Sequence, residues 1–317
     1  MQAAVLNVIE RIFERCPKDQ HRAEQSYGFR PGRGCKDALR RVDELLKAGY
    51  VHVVDADLKG DFDSIPHGPL MDRLRTKIAD GRVLSLIEAF LTAGILDDTT
   101  EGTPTTGAPQ GAVLSPDHRS GGALSNIDLD PLDHRMVRCG FEMVRYADDF
   151  VILCRTADAA ARALERVREW VADNGLTLHP TKTRIVDSRT DSFAFLGYEF
   201  RGAKHWPRKK SLGKLQDALR AKTRRTSGQS LPSIVSDVNR TLCGWFEYFR
   251  HSRDRNVFTD IDGWLRGRWR SILRKRLGLR GRGRGRDHPR WPNCYFTAHG
   301  LFCLKAAHVA VCQSSRR

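Results

Sequence analysis

The sequence predicts an α+β protein, an antiparallel sheet with helices packed on one face, followed by an all-helical basic region. Three observations predict it. Up to about residue 200, short β-branched or apolar runs alternate with amphipathic helical patterns. Beyond that point the apolar period is helical throughout. The charge changes sign at the same place: residues 1–200 hold 26 Lys+Arg against 31 Asp+Glu, whereas residues 201–290 hold 25 against 7.

In chain order, Val5, Ile9, Ile12 and Phe13 fall at helical spacing within residues 2–15. Residues 26–34 are punctuated by Gly and Pro and read as a loop. Residues 37–47 form a helix closed by Gly49. Val51, Val53 and Val54 make 50–58 a buried strand that ends in acidic residues. Residues 67–80 and 82–96 are helical, and 102–115, rich in Gly, Thr and Pro, are loop or turn. The runs 141–146 and 150–154 flank Ala147-Asp148-Asp149 as the arms of a β-hairpin. Thr156 or Asp158 caps a helix with Leu164, Val167 and Val171 on one face, ended by Asn174-Gly175. Residues 176–178, 184–186 and 193–200 are strand candidates. Helices then cover 211–223 and 256–277, and between them Pro232 precedes the stripe Ile234, Val235, Val238, Leu242, Trp245, Phe246 and Phe249. The change of period near 201–211 divides the chain into domains at 1–200, 201–279 and 280–317. RGRGRGR (280–286) is a flexible or extended basic linker opening the third.

Composition narrows the function. The chain has 317 residues and a formal charge of +16. A charged fraction of 29%, a mean hydropathy of −0.48 and the lack of any apolar run of ~18 residues exclude a bundle of membrane-spanning helices. No basic-then-apolar leader opens the sequence, so a cytoplasmic, bacterial setting is expected. The eight cysteines show no CxxC pair and no Cys/His ligand spacing, and are expected to be reduced and mostly in the core. The basic C-terminal third, interleaved with Trp206, Trp245, Trp264, Trp269 and Trp291, points to a nucleic acid. Phosphates release counterions to its cations, and rings offer stacking platforms. A merely solvated basic surface is the plainer alternative.

The sharpest feature is Tyr146-Ala147-Asp148-Asp149 at a hairpin tip. Adjacent carboxylates repel one another, and a divalent cation is the simplest compensation. A second acidic cluster, Asp55, Asp57, Asp61 and Asp63, ends another buried strand. If the two strands are neighbours, Asp57 and Asp148 can share two magnesium ions about 4 Å apart, the geometry of in-line phosphoryl transfer.

In these blocks the chain resembles the reverse transcriptases encoded by group II introns, the maturase family. The matching segments, in the family's order, are SYGFRPGRG (26–34), DADLKGDFDSIPH (55–67), GAPQGAVLSP (107–116), NIDLDPLD (126–133), VRYADDFVILC (144–154), GLTLHPTKT (175–183) and FLGYEF (195–200). GWFEYFR (244–250) resembles the helical maturase, or thumb, region, and RWPNCYFTAHGLF (290–302) the ending of bacterial members. The resemblance implies a reverse-transcriptase palm with partial fingers and a helical thumb. The implied activity is RNA-directed DNA polymerisation from a primer 3′-hydroxyl, with a possible splicing role. It implies Mg²⁺, for which Mn²⁺ can substitute, held by Asp57, Asp148, Asp149 and the Leu58 carbonyl. The implied partners are an RNA template or intron RNA, a DNA primer and dNTPs.

Carried over residue by residue, Phe62 packs beneath the nucleotide sugar and disfavours a 2′-hydroxyl, unless it is an ordinary core ring. Gln110 and Gly111 lie near the templating base. Lys182 lies near the leaving phosphates, unless it is a plain surface lysine. Arg30 and Arg33 touch template or nucleotide, and Phe195, Leu196, Gly197 and Tyr198 hold the primer end. Arg280, Arg282, Arg284 and Arg286 are candidates for backbone phosphate. Three departures stand out. Met1 aligns inside the family's finger region, so the preceding fingers are expected to be missing. Residues 117–122 (DHRSGG) are extra, and Asp61 replaces an apolar or aromatic residue. No Cys/His cluster of an endonuclease follows. A polymerase-deficient RNA-binding remnant and a domesticated, defence-associated reverse transcriptase remain as alternatives.

Overall fold

A computed structural model describes residues 5, 8, 9, 12, 13, 23–59, 65–92, 122–281 and 285–314. The chain divides into two compact units, Met1–Leu196 with Arg201–Ala203, and Gly197–Phe200 with Lys204–Arg317.

The first unit contains α1 (Cys35–Lys47), β1 (His52–Ala56), α2 (His67–Arg75), α3 (Gly81–Thr92), α4 (Gly122–Arg138), β2 (Glu142–Tyr146), β3 (Asp149–Cys154), α5 (Ala157–Asp173), β4 (Arg184–Asp187) and β5 (Phe193–Phe195). Four strands form one sheet in the order β2-β3-β1-β4. Every neighbouring pair in it is antiparallel. Strand β1 thus pairs with β3 from His52–Cys154 to Ala56–Phe150. Val54, Ala56, Phe150 and Ile152 pack into a cluster with Leu129, Leu132 and Met136 of α4 and Ala160, Ala163 and Val167 of α5. Val53, Val151 and Leu153, on the reverse face, are equally inaccessible. α1 packs on β2 and β3, and β5 on β1 and β3. Burial on both faces explains why Phe150-Val151-Ile152-Leu153-Cys154 is continuously apolar rather than alternating. Each such side chain contributes about 1.5–3 kcal/mol. A second cluster joins Leu70, Met71 and Leu74 of α2 with Ile87 and Leu91 of α3, Ile65, and the Val5, Ile9 and Phe13 stripe.

The second unit holds β6 (Tyr198–Arg201), β7 (Lys204–Pro207), α6 (Lys209–Lys222), α7 (Leu231–Phe249), α8 (Arg255–Arg276), α9 (Asp287–Arg290), α10 (Asn293–Ala298) and α11 (Leu304–Ser314). Its core is the α7 stripe Ile234, Val238, Leu242 and Phe246 against Phe258, Ile261, Leu265 and Trp269 of α8 and Leu215 and Leu219 of α6. Ser230 caps α7 by accepting from Ser233 N at 3.3 Å, with proline in the first turn.

Four local expectations change. Residues 176–178 form no strand; only Leu178 bridges, to Leu58. The run 193–200 is broken because Leu196 and Gly197 both take positive φ, 47° and 79°. The helical region is preceded by a strand, β7, over residues assigned only to a boundary. Of the seven described cysteines, Cys154 alone is buried and Cys139, Cys243 and Cys294 are exposed, so they are not mostly core. All seven are free thiols. No described helix is long and apolar enough to cross a membrane.

Candidate active site

The acidic residues meet at one end of the sheet. Tyr146 pairs with Asp149, which leaves Ala147-Asp148 as a two-residue turn. Asp57 follows Ala56, the last β1 residue paired with β3, so continuing the register sets it opposite Asp149. The segment after α5 fixes this strand end: His179 N donates to the Asp57 carbonyl at 2.7 Å and Lys59 N to the Thr177 carbonyl at 2.8 Å.

The electrostatics follow from that crowding. Burial pushes Asp149 up to about 6; repulsion from Asp148, Asp55 and Asp57 adds to this, and a hydrogen bond from Leu196 N opposes it. That bond spans 3.3 Å. Asp148 is raised chiefly by burial, with Asp57 pushing the same way. Asp55 rises to about 6 through burial, against the pull of Arg184, whose Nε lies 3.6 Å away. The fourth carboxylate, Asp57, accepts from Lys182 Nζ at 2.6 Å. Asp149 therefore lies within the field of the other three carboxylates and Asp57 within that of Asp55 and Asp148, and their hard oxygen donors fit a divalent cation. Among the described residues no three His, Cys, Asp or Glu side chains already converge into a metal-holding group. In the rotamers present, Asp57 serves Lys182 and Asp149 serves the Leu196 amide.

The other sequence-predicted residues divide. Arg30 Nη1 donates to the carbonyls of Ala23 (2.8 Å) and Ser26 (3.2 Å). Arg33 donates to the Glu24 carbonyl and stacks 5.4 Å from the Tyr27 ring centroid. Both guanidinium groups thus shape their own loop. Phe195 and Tyr198 are buried, and the Tyr198 hydroxyl donates to the Tyr248 carbonyl at 2.7 Å. Only the backbone turn at Leu196-Gly197 is half-exposed. Arg280 and Arg286 are exposed. Phe62, Gln110, Gly111, Arg282 and Arg284 lie outside the described residues, as do Asp61 and residues 117–121. Sequence reasoning passed over Arg145, which lies fully buried one residue before the Tyr146-Ala147-Asp148-Asp149 tip. An arginine directly after the apolar pair Met143-Val144 of a strand was the available signal.

An antiparallel sheet backed by helices, with carboxylates on a hairpin tip and on the adjacent strand end, defines the palm of nucleotide polymerases. The chain belongs to the reverse transcriptase family: residues 1–200 match the family described as reverse transcriptase (RNA-dependent DNA polymerase). Residues 212–291 match the maturase-specific domain of group II introns. The chain is 30% identical to protein YkfC of Escherichia coli, covering 62% of this chain and 59% of that one. It is 37% identical to the group II intron-encoded protein LtrA of Lactococcus lactis, over 42% of this chain and 20% of that protein. Among solved structures, apo telomerase from Candida tropicalis superposes with a TM-score of 0.54 at 12% identity, covering 86% of this chain and 53% of that one. That likeness shows the fold alone.

Proposed function

We propose that this chain is an RNA-directed DNA polymerase of a group II intron-like retroelement, extending a DNA primer on an RNA template with dNTPs in the cytoplasm. The observation that carries the reading is the meeting of Asp57 with Asp148 and Asp149 at the ends of paired strands. Asp57, Asp148, Asp149 and the Leu58 carbonyl would hold the cations. Two Mg²⁺ ions held there would supply activation of the primer hydroxyl and neutralisation of charge on the leaving pyrophosphate. The chain's own groups do the rest. By the resemblance, Lys182, whose ammonium lies 2.6 Å from Asp57, would give a proton to the leaving phosphate. By the resemblance, Phe62 screens the sugar and Gln110 and Gly111 border the template base. The Leu196-Gly197 turn, tied to Asp149 through the Leu196 amide, supports the primer end. The basic helices, with Trp264 flanked by the Arg220 and Arg268 guanidinium groups at 5.6 and 5.4 Å, grip RNA.

Primer extension on poly(rA)/oligo(dT) with magnesium tests the reading. The expected result is dTMP incorporation that disappears on chelation. Tight, salt-sensitive RNA binding without incorporation would instead make the chain an RNA-binding remnant.

A further inference from the structure

Arg145 lies on β2 and is completely inaccessible. Nε and Nη2 clasp the two oxygens of Asp133, itself fully buried on α4, with the Nε bond at 2.8 Å. Nη1 donates to Asn126 Oδ1 at 2.8 Å and to the Ala147 carbonyl at 2.7 Å, and Nη2 to Ser26 Oγ at 3.0 Å. The backbone repeats the linkage: Arg145 N donates to the Gln25 carbonyl at 2.9 Å and Tyr27 N to the Arg145 carbonyl at 2.8 Å. Asn126 Nδ2 donates onward to the Gly28 carbonyl at 2.7 Å. One guanidinium therefore joins the 25–28 loop, helix α4 and the acidic turn.

The turn needs holding. Ala147 takes φ of 58°, a left-handed conformation that costs an L-residue about 1–2 kcal/mol. A planar fork clasped by both Asp133 oxygens has its orientation fixed, so the carbonyl it reaches is fixed as well. A lysine in its place could serve fewer of these five acceptors and none of them bidentately.

We infer that Arg145, oriented by Asp133, is the positioning residue of the acidic turn: it pins the Ala147 carbonyl to α4 and so sets Asp148 relative to Asp57. The inference rests on the polymerase reading of that site. The comparison is with Arg73, which binds Asp128 of α4 and Asn174 at the end of α5 and makes no hydrogen bond to the turn.

The test uses the full chain with Arg145→Lys, Asp133→Asn, Ser26→Ala and, as reference, Arg73→Lys. Amide hydrogen exchange at residues 147–149 is read without cation, and Mn²⁺ affinity by electron paramagnetic resonance. Arg145→Lys and Asp133→Asn should speed exchange at the tip at least about tenfold relative to β1. They should weaken Mn²⁺ binding about ten- to a hundredfold, as loss of an orienting partner does at metal sites. Arg73→Lys should lower the melting temperature while leaving both readouts within about twofold. If the charged variants fail to fold, Ser26→Ala, which removes a single acceptor, should still show a two- to fourfold change, roughly the effect of one neutral hydrogen bond. Unchanged tip exchange in every folded variant overturns the inference. If the parent chain shows no Mn²⁺ binding that Asp148→Ala abolishes, the polymerase reading falls, and tip exchange still decides the role of Arg145 separately.

Discussion

The two units bury charge for different ends. In the sheet unit the buried Arg145–Asp133 pair locks a strained turn, and Arg73 with Asp128 ties α2 to α4. In the helical unit the buried carboxylates fasten the shorter helices that follow α8. Asp262 of α8 accepts from the amides of Leu304 (3.1 Å) and Lys305 (3.0 Å) and so caps α11. Asp287 accepts from Arg274 at 2.9 Å and anchors α9. Regular elements in both units are held by apolar packing. Some buried ions join two regular helices, as Arg73 and Asp128 do, and others sit where the backbone leaves regular geometry, as Arg145 does beside the Ala147 turn. Outside, the units diverge again, since the helical one carries its surplus of arginine and lysine at the surface.

The largest expected effect lies at the acidic tip. Asp148→Ala should reduce primer extension by at least about a hundredfold, the scale of losing a group that stabilises developing charge. RNA affinity should stay near that of the parent, because the change removes no phosphate contact. Equal loss of RNA binding, measured by filter retention, would break the contrast between a chemical unit and a gripping unit.

The helical unit should respond to packing instead. Leu242 is fully buried in the α7–α8 core, so Leu242→Ala should cost about 2–5 kcal/mol of stability, seen as a lower denaturation midpoint. Gly28→Ala sharpens the comparison, because a Cβ there would collide with the amide nitrogen of Ala147. It should cost about 1–3 kcal/mol, the range of an overpacked contact, and should slow extension more than Leu242→Ala does at a temperature where both are folded.

Much of this was legible in the primary structure. The hairpin around Asp148, the strand leading to Asp57 and the Pro232-led helix all follow from periodicity and turn chemistry, which are local properties. The split of 193–200 was not legible, because it depends on a positive φ at Leu196, a residue with no intrinsic preference for that conformation. Nor was the turning of Arg30 and Arg33 onto their own loop carbonyls, since a guanidinium's choice between protein and phosphate is tertiary. Exposed cysteines such as Cys243 and Cys294 were missed for a similar reason: composition says how often a residue type is buried, not which face of α7 or α10 it occupies.

The smallest effect is expected at the arginine-glycine run, and it separates affinity from chemistry. The carbonyl of Arg280 accepts from Arg274 Nη2 at 2.6 Å and that of Gly281 from Arg225 Nη2 at 3.0 Å, so backbone contacts fix the start of the run while the Arg280 side chain stays exposed. Arg286, at its other end, is exposed as well. If both side chains meet phosphate, replacing them with glutamine should lower the slope of log K against log salt by up to about two. The loss should be uniform across RNA sequences, because a phosphate contact carries no base information. Extension at saturating primer–template should be unaltered. A slope that does not move would assign the run to solubility and leave the gripping surface to α6 and α8.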